Sequence, residues 1–375
     1  MIEPRSSGKR VDSVRGRGAA GNPPNRFERS WHERDPEADD PDLADPDSTP
    51  APATVFLTDA SRTIVARNDS PDIPFDASIN PYRGCEHGCA YCYARPTHEY
   101  LGLSAGLDFE TKILVKHDAP ALLRKALMSP GWKPVPLSVS GVTDAYQPVE
   151  RRLRLTRRCL EVLVEFRNPV GIVTKNRLVT RDIDLLADPA AHRAAAVFLS
   201  ITTLDAELAR RLEPRASPPA LRLAAVEALA RAGVPVGVMV APVIPGLTDH
   251  EIPAILAASA EAGARHAGYV PLRLPLAVAP LFEDWLDRHA PGQKAKVLGR
   301  VRGLRDGKLN DARFGSRMRG QGAFAAILET VFQVACRRLG LNATRLDLSG
   351  DAFRRPEPDG HGEPGRPGRQ LRLFD

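Results

Sequence analysis

Through the middle of the chain, short apolar runs alternate with longer amphipathic stretches. The runs at 112–116, 137–142, 170–174, 196–201, 234–243 and 266–272 are rich in Val, Ile and Leu and read as strands. Between them, 119–128, 153–166, 182–187, 204–212, 218–232 and 249–262 repeat apolar residues three and four apart and read as helices. Strands apolar at nearly every position are those covered on both faces, so the alternation predicts a parallel sheet with helical crossovers. A partial or full (β/α) barrel and an open doubly wound sheet both satisfy this pattern. Residues 281–348 read as mostly helical, an extension packed at one end.

At the two ends the pattern fails. Residues 1–50 are rich in Gly, Pro, Asp and Arg, and 351–375 carry Pro and Gly every few positions. Such segments bury too little apolar surface to offset their ordering entropy. The expected division is a disordered tail over 1–50, an α/β core over 51–280, a helical extension over 281–350 and a second disordered tail over 351–375. A chain of 375 residues can bury a large core. No apolar run is long enough to span a bilayer, and the N-terminus lacks the apolar centre of an export signal. Five cysteines, clustered and odd in number, do not form a disulfide framework. A reducing cytoplasm is the expected location, with no membrane partner.

Charge is unevenly spread. The net charge is +6, yet residues 35–47 hold seven acidic side chains and no basic one. Between Arg288 and Gly320 there are ten Lys or Arg against two Asp. That excess is either an electrostatic footprint for nucleic acid or a solvated Arg-rich face. Within it, Arg317 and Arg319 lie among glycines. Such a segment suits a phosphate, or equally a turn whose arginines pair with acids elsewhere.

The densest chemistry is in NPYRGCEHGCAYCY, residues 80–93, which holds three of the five cysteines at spacing C-x3-C-x2-C. Cys85, Cys89 and Cys92 can grip one metal centre from a single loop. Closed structural sites use four protein ligands, so three leave a coordination position open. The loop follows an extended run at 78–83 and therefore leaves the first core strand. In βα folds, ligands gather at the C-terminal ends of strands. Those ends are polar here: Thr143, Asp144, Tyr146 and Gln147 after the second core strand, and Lys175 and Asn176 after the third. Ser200, Thr202 and Thr203 end the fourth, and the turn at 242–248 ends the fifth. Each alone reads as a cap or loop residue; together they predict one cavity facing the cysteines. His87 could instead complete a Cys3His zinc site, giving a binding module without catalysis. His98 reads as structural, and Cys159 and Cys336 as small core residues of amphipathic helices.

The cysteine spacing, with an aromatic just before the last cysteine on a βα pattern, resembles the radical S-adenosylmethionine (SAM) enzymes. Within them the chain is similar to the spore-photoproduct-lyase-like branch, through NPYRGCEHGCAYCYARPTHEY, GVTDAYQPVE and the VIPGLTD turn, over roughly residues 75–340. The resemblance implies a partial (β/α)6 barrel. Cys85, Cys89 and Cys92 would hold three irons of a 4Fe-4S cluster, and the fourth iron would bind the amino and carboxylate groups of SAM. Reductive cleavage of SAM would give a 5′-deoxyadenosyl radical that abstracts hydrogen from a substrate. Tyr91 would lie over the cluster near the adenine. Thr143 and Asp144 stand where many members carry a Gly-Gly-Glu run for the SAM amino group. Lys175 and Ser200 stand where the branch contacts the SAM carboxylate, with Thr202 and Arg215 as further candidates. Neither Cys159 nor Cys336 matches the branch's hydrogen-donor cysteine, and no hydrogen donor is assigned. The implied substrate is a nucleic-acid lesion or base, or else a small molecule or peptide. The implied partners are nucleic acid, through the segment from Arg288 to Gly320, and an electron donor such as flavodoxin or ferredoxin.

Overall fold

The computed structural model describes residues 14–28, 52–139 and 141–356. Ten strands are present in the described residues: β1 (Val55–Thr58), β2 (Val65–Arg67), β3 (Ala77–Ile79), β4 (Tyr82–Arg83), β5 (Lys112–Val115), β6 (Leu137–Val139), β7 (Val170–Thr174), β8 (Ala195–Ser200), β9 (Val236–Val243) and β10 (His266–Pro271). Seven of them form one sheet in the order β10-β9-β8-β7-β6-β3-β2. The run from β3 to β10 is parallel throughout, and β2 is added antiparallel to β3. This is the expected six-stranded parallel wall. Its two edge strands, β2 and β10, do not pair with each other among the described residues, so the wall stays open.

The period-two alternation of strand side chains divides the wall. Ile79, Val139, Ile172, Val197 and Val238 are buried in the main core with the crossover helices Ala119–Met128, Leu155–Phe166, Pro219–Arg231 and Ile252–Glu261. Ser78, Ser138, Gly171, Phe198 and Met239 occupy the alternate positions and so the opposite face. The helical extension consists of Val278–His289, Lys294–Leu304 and Gly322–Leu339, joined by a short turn of helix at Ser316–Arg319. The last long helix packs on Ile252–Glu261, and Phe332 meets Tyr269 of β10 at 4.7 Å between ring centroids.

Four features differ from the sequence expectation. The run at 112–116 is a strand, but it joins a separate three-stranded sheet, β1-β5-β4, outside the main wall. The second core strand stops at Val139, because Asn80 Oδ1 accepts from the amides of Val142 and Thr143 and turns the chain away. Residues 14–28, expected within a tail, are packed on the core, with Ala19 and Asn25 buried; the rest of 1–50 lies outside the described residues. After Leu339 the chain runs to 356 without helix or strand, crossing the N-terminal ends of the strands. The amide of Asn342 donates to Arg265 O, that of Ser349 to Arg193 O and that of Arg354 to Phe166 O. This segment covers the end of the wall opposite the cysteine loop. The expected tail over 351–375 is therefore seated through 356, and 357–375 lie outside the described residues. No helix among the described residues is long and apolar enough to cross a membrane.

Candidate active site at the cysteine loop

Loop 84–93 leaves β4 and is fastened on every side. Gln147 accepts from the Glu86 amide at 2.9 Å and donates to Gly84 O at 3.1 Å. The Glu86 carboxylate accepts from the Val149 amide at 2.7 Å and lies 3.1 Å from the Arg215 guanidinium. The Arg215 amide donates to His87 O, and the Ala90 amide to Leu212 O. Gly88 sits at φ +66°, and a Cβ there would lie 2.6 Å from Glu110 Oε2, so both backbone shape and space require glycine. The loop is thus a rigid platform that presents three cysteines.

Cys85 and Cys89 are buried and Cys92 is half-buried, and none is in a disulfide. Burial pushes all three thiols upward, with neighbouring anions adding to the effect at Cys85 and Cys89. Three soft donors in a water-poor loop ionise only against a strong positive centre. That donor set fits an iron–sulfur cluster held by thiolates. It does not fit the Cys3His zinc reading. His87 Nδ1 lies 3.3 Å from Asp144 Oδ2, and its Nε2 lies 3.3 Å from Asn176 Nδ2, so both ring nitrogens are engaged. Among the described residues, no three His, Cys, Asp or Glu side chains gather around a single ion position.

Beside the cysteines, the C-terminal strand ends converge on Tyr91. Its hydroxyl donates to Glu213 Oε1 and lies 3.2 Å from Thr202 Oγ1. Lys175 Nζ stands 5.8 Å from the centroid of the Tyr91 ring, donates to Ala241 O at 2.9 Å and lies 3.5 Å from Glu213 Oε1. Arg222, fully buried, pairs with Glu213 Oε2 and donates to the carbonyls of Ser200 and Ser217 at 2.8 and 2.7 Å. Burial alone would push the Glu213 carboxyl up. Arg222 and Lys175, with hydrogen bonds from Arg222 and Tyr91, outweigh it and hold the group near 2.

Asp144 forms a second node. Its carboxylate accepts from the Tyr146 amide at 2.9 Å, Thr174 Oγ1 at 2.8 Å and the Lys175 amide at 2.8 Å. Against the upward push of burial, His87 and these hydrogen bonds hold its carboxyl below the usual range. The structure therefore brings Tyr91, Asp144, Lys175 and Thr202 together beside the cysteine loop. It does not bring Thr143 there as a free donor, because its hydroxyl donates to Tyr82 O at 2.8 Å. Ser200 closes β8 and is buried, with its carbonyl held by Arg222. Arg215 is committed to Glu86. Glu213 and Arg222 were missed by the sequence reading, and no motif marks either. His98 is structural, its Nε2 2.9 Å from Lys112 O. Cys159 and Cys336 are core residues.

Residues 79–258 match the family model of the Radical SAM superfamily, a superfamily of enzymes, over just under half of the chain. An uncharacterized protein of Mycobacterium tuberculosis is 38% identical over 221 residues, covering 58% of this chain and 65% of that protein. An uncharacterized protein of Methanocaldococcus jannaschii is 30% identical over 173 residues, covering 46% of this chain and 62% of that protein. The matched region thus spans just under two thirds of these relatives. A spore photoproduct lyase solved in complex with a dinucleoside spore photoproduct shares the fold, with TM-score 0.53 at 18% identity over 76% of this chain and 80% of that chain.

Proposed function

We propose that the chain is a radical SAM enzyme in which Cys85, Cys89 and Cys92 hold a 4Fe-4S cluster and the strand ends around Asp144 and Lys175 bind SAM. The observation that carries this reading is the convergence of three free cysteines, Tyr91 and the Asp144 and Lys175 charges at one end of a parallel wall. When bound, a reduced cluster supplies the electron that splits SAM into methionine and a 5′-deoxyadenosyl radical. The rest is the work of the chain. Lys175 offers a cation to a carboxylate, and the ionised Asp144 offers an anion to an ammonium group. With Thr143 committed to Tyr82 O, Asp144 is the polar group of its strand end. Glu213 fixes the Tyr91 ring from behind, and Arg222 keeps that carboxylate charged. The segment 341–356 covers the far end of the wall and keeps water from entering there.

For the substrate, a nucleic-acid lesion or base is the first reading, motivated by the dinucleoside bound to the spore photoproduct lyase of the same fold. A small molecule or peptide is the second. It is favoured by the internal pairing of Arg288, Lys294, Arg300, Arg313 and Arg317 with carboxylates. The test is anaerobic reconstitution with iron and sulfide, followed by dithionite and SAM. About four irons and four sulfides per chain are expected, with 5′-deoxyadenosine formed. Replacing Cys85, Cys89 or Cys92 by Ala should each remove the cluster, while Cys159→Ala and Cys336→Ala should retain it. Colourless protein with stoichiometric zinc overturns the reading.

A further inference from the structure

Ahead of the domain, residues 17–25 lie directly on the cysteine loop. The amides of Gly18 and Ala19 donate to the two oxygens of Glu110 at 3.0 and 2.9 Å. Glu110 pairs with Arg95, and both side chains are fully buried. Arg95 in turn donates from Nε and Nη2 to Cys89 O at 3.1 and 2.9 Å, and from Nη1 to the carbonyls of Ala105 and Gly106. Every donor group of this guanidinium is therefore spent on fixing one cysteine and the chain that follows the loop. The contact with the loop is equally close. A Cβ added to Gly18 would lie 1.8 Å from Gly88 O and 3.2 Å from the Ala90 amide nitrogen, so only glycine lets the two backbones meet. Further along, Asn22 and Asp108 exchange hydrogen bonds, and Asn25 donates to the carbonyls of Glu99 and Leu103.

We infer that residues 17–25 are a clasp over the cysteine loop, and that Glu110 and Arg95 are positioning residues that carry its hold to Cys89. Arg95 is buried with Glu110 as its one carboxylate partner among the described residues, and Glu110 is completed by the clasp amides. Removing the clasp leaves a buried carboxylate short of two donors, and that deficit falls on the groups that orient Cys89. The clasp also covers the Gly88 side of the loop, where water or oxygen would otherwise reach the cysteines. The contact itself is independent of the metal, whereas its consequence for a cluster rests on the radical SAM reading.

The test compares Gly18→Ala with Gly21→Ala in the full chain. Gly21 lies in the same segment, but a Cβ there would meet nothing within 4 Å. Two readouts are taken: hydrogen exchange of the loop amides in metal-free protein, and the rate at which a chelator strips the reconstituted cluster, followed by its visible absorbance. In Gly18→Ala the Gly88 and Ala90 amides should exchange faster, and the cluster should be lost about tenfold faster. Gly21→Ala should match the unmodified chain in both. If Gly18→Ala does not fold, Glu110→Gln, which keeps the side-chain shape, is read in the same way. Unchanged exchange in the loop overturns the clasp. Faster exchange in a protein whose unmodified form takes up no iron upholds the clasp and overturns the radical SAM reading instead.

Discussion

Glu213 shows how much of this site depends on side chains without a motif. It is completely buried, and its charge is balanced by Arg222 on one oxygen and approached by Lys175 on the other. Arg222→Leu would leave that carboxylate with Lys175 as its remaining cation, beside the Tyr91 and Thr202 hydroxyls, and truncating one partner of a buried pair costs about 3–5 kcal/mol. Urea unfolding should show that loss, and the double replacement Glu213→Met with Arg222→Leu should recover much of it. A double variant no more stable than Arg222→Leu would contradict this account. Lys175→Ala belongs to a different class, since its side chain is 15% exposed. Its larger effect should be on SAM affinity, a fall of about ten- to a hundredfold by equilibrium dialysis. The three cysteines were legible in the sequence because their ligand spacing is local. Glu213 was not, because its partner Tyr91 lies 122 positions away and leaves no local pattern. Arg222 sits in the helix Pro219–Arg231 and reads as one more surface arginine. His87 was open to a zinc reading because spacing is blind to Asp144 and Asn176, which saturate the ring from other strand ends.

At the scale of elements, the parallel wall was the most legible part, since strands covered on both faces have continuous apolar runs. The extended run at 170–174 and the helix at 119–128 match the structure end for end. What composition misread was the N-terminal segment. Its glycines, prolines and arginines match a disordered tail, but it is held by backbone amides and by small residues that fit where large ones cannot. Small residues also shape the wall. Gly237 of β9 leaves room for the ring of Phe198 of β8, and a Cβ there would lie 2.4 Å from Phe198 Cε1 and 2.9 Å from His266 O. Gly237→Ala should therefore force the ring or the β9–β10 pairing to shift, costing about 1–3 kcal/mol by overpacking. Thermal unfolding measures this directly, and an unchanged midpoint would show that the ring moves freely.

For the whole molecule, the question is whether the basic segment faces a polyanion. Of its ten cationic side chains, Arg288, Lys294, Arg300, Arg313 and Arg317 are paired with carboxylates. Arg305 is buried, its side chain donating to the carbonyls of Pro271, Leu272, Ser316 and Arg317, and burial lowers it to about 10. Lys296, Arg302, Lys308 and Arg319 remain exposed, without a carboxylate partner among the described residues. Four phosphate contacts give a slope of log affinity against log salt of about three to four in magnitude, well short of what ten would give. Arg317 is bound to Asp72 at 2.6 and 2.8 Å, which ties the loop after β2 to the short helix Ser316–Arg319 of the extension. The hydrogen bond from Arg317 holds the Asp72 carboxyl below its usual range. The stability from this pair is therefore present above the ordinary aspartate range and is lost as pH falls through the lowered value. Arg317→Ala should lower the melting midpoint near neutral pH, should lower it less in acid, and should leave any salt slope unchanged. Arg319→Ala should reduce the slope by about one and leave the melting midpoint in place. Fluorescence anisotropy with single- and double-stranded oligonucleotides, titrated from low to physiological salt, separates the two. Equal loss of slope in both variants would mean that the Asp72 pair opens on binding. Absence of binding at low salt removes the nucleic-acid reading and leaves the small-molecule or peptide substrate.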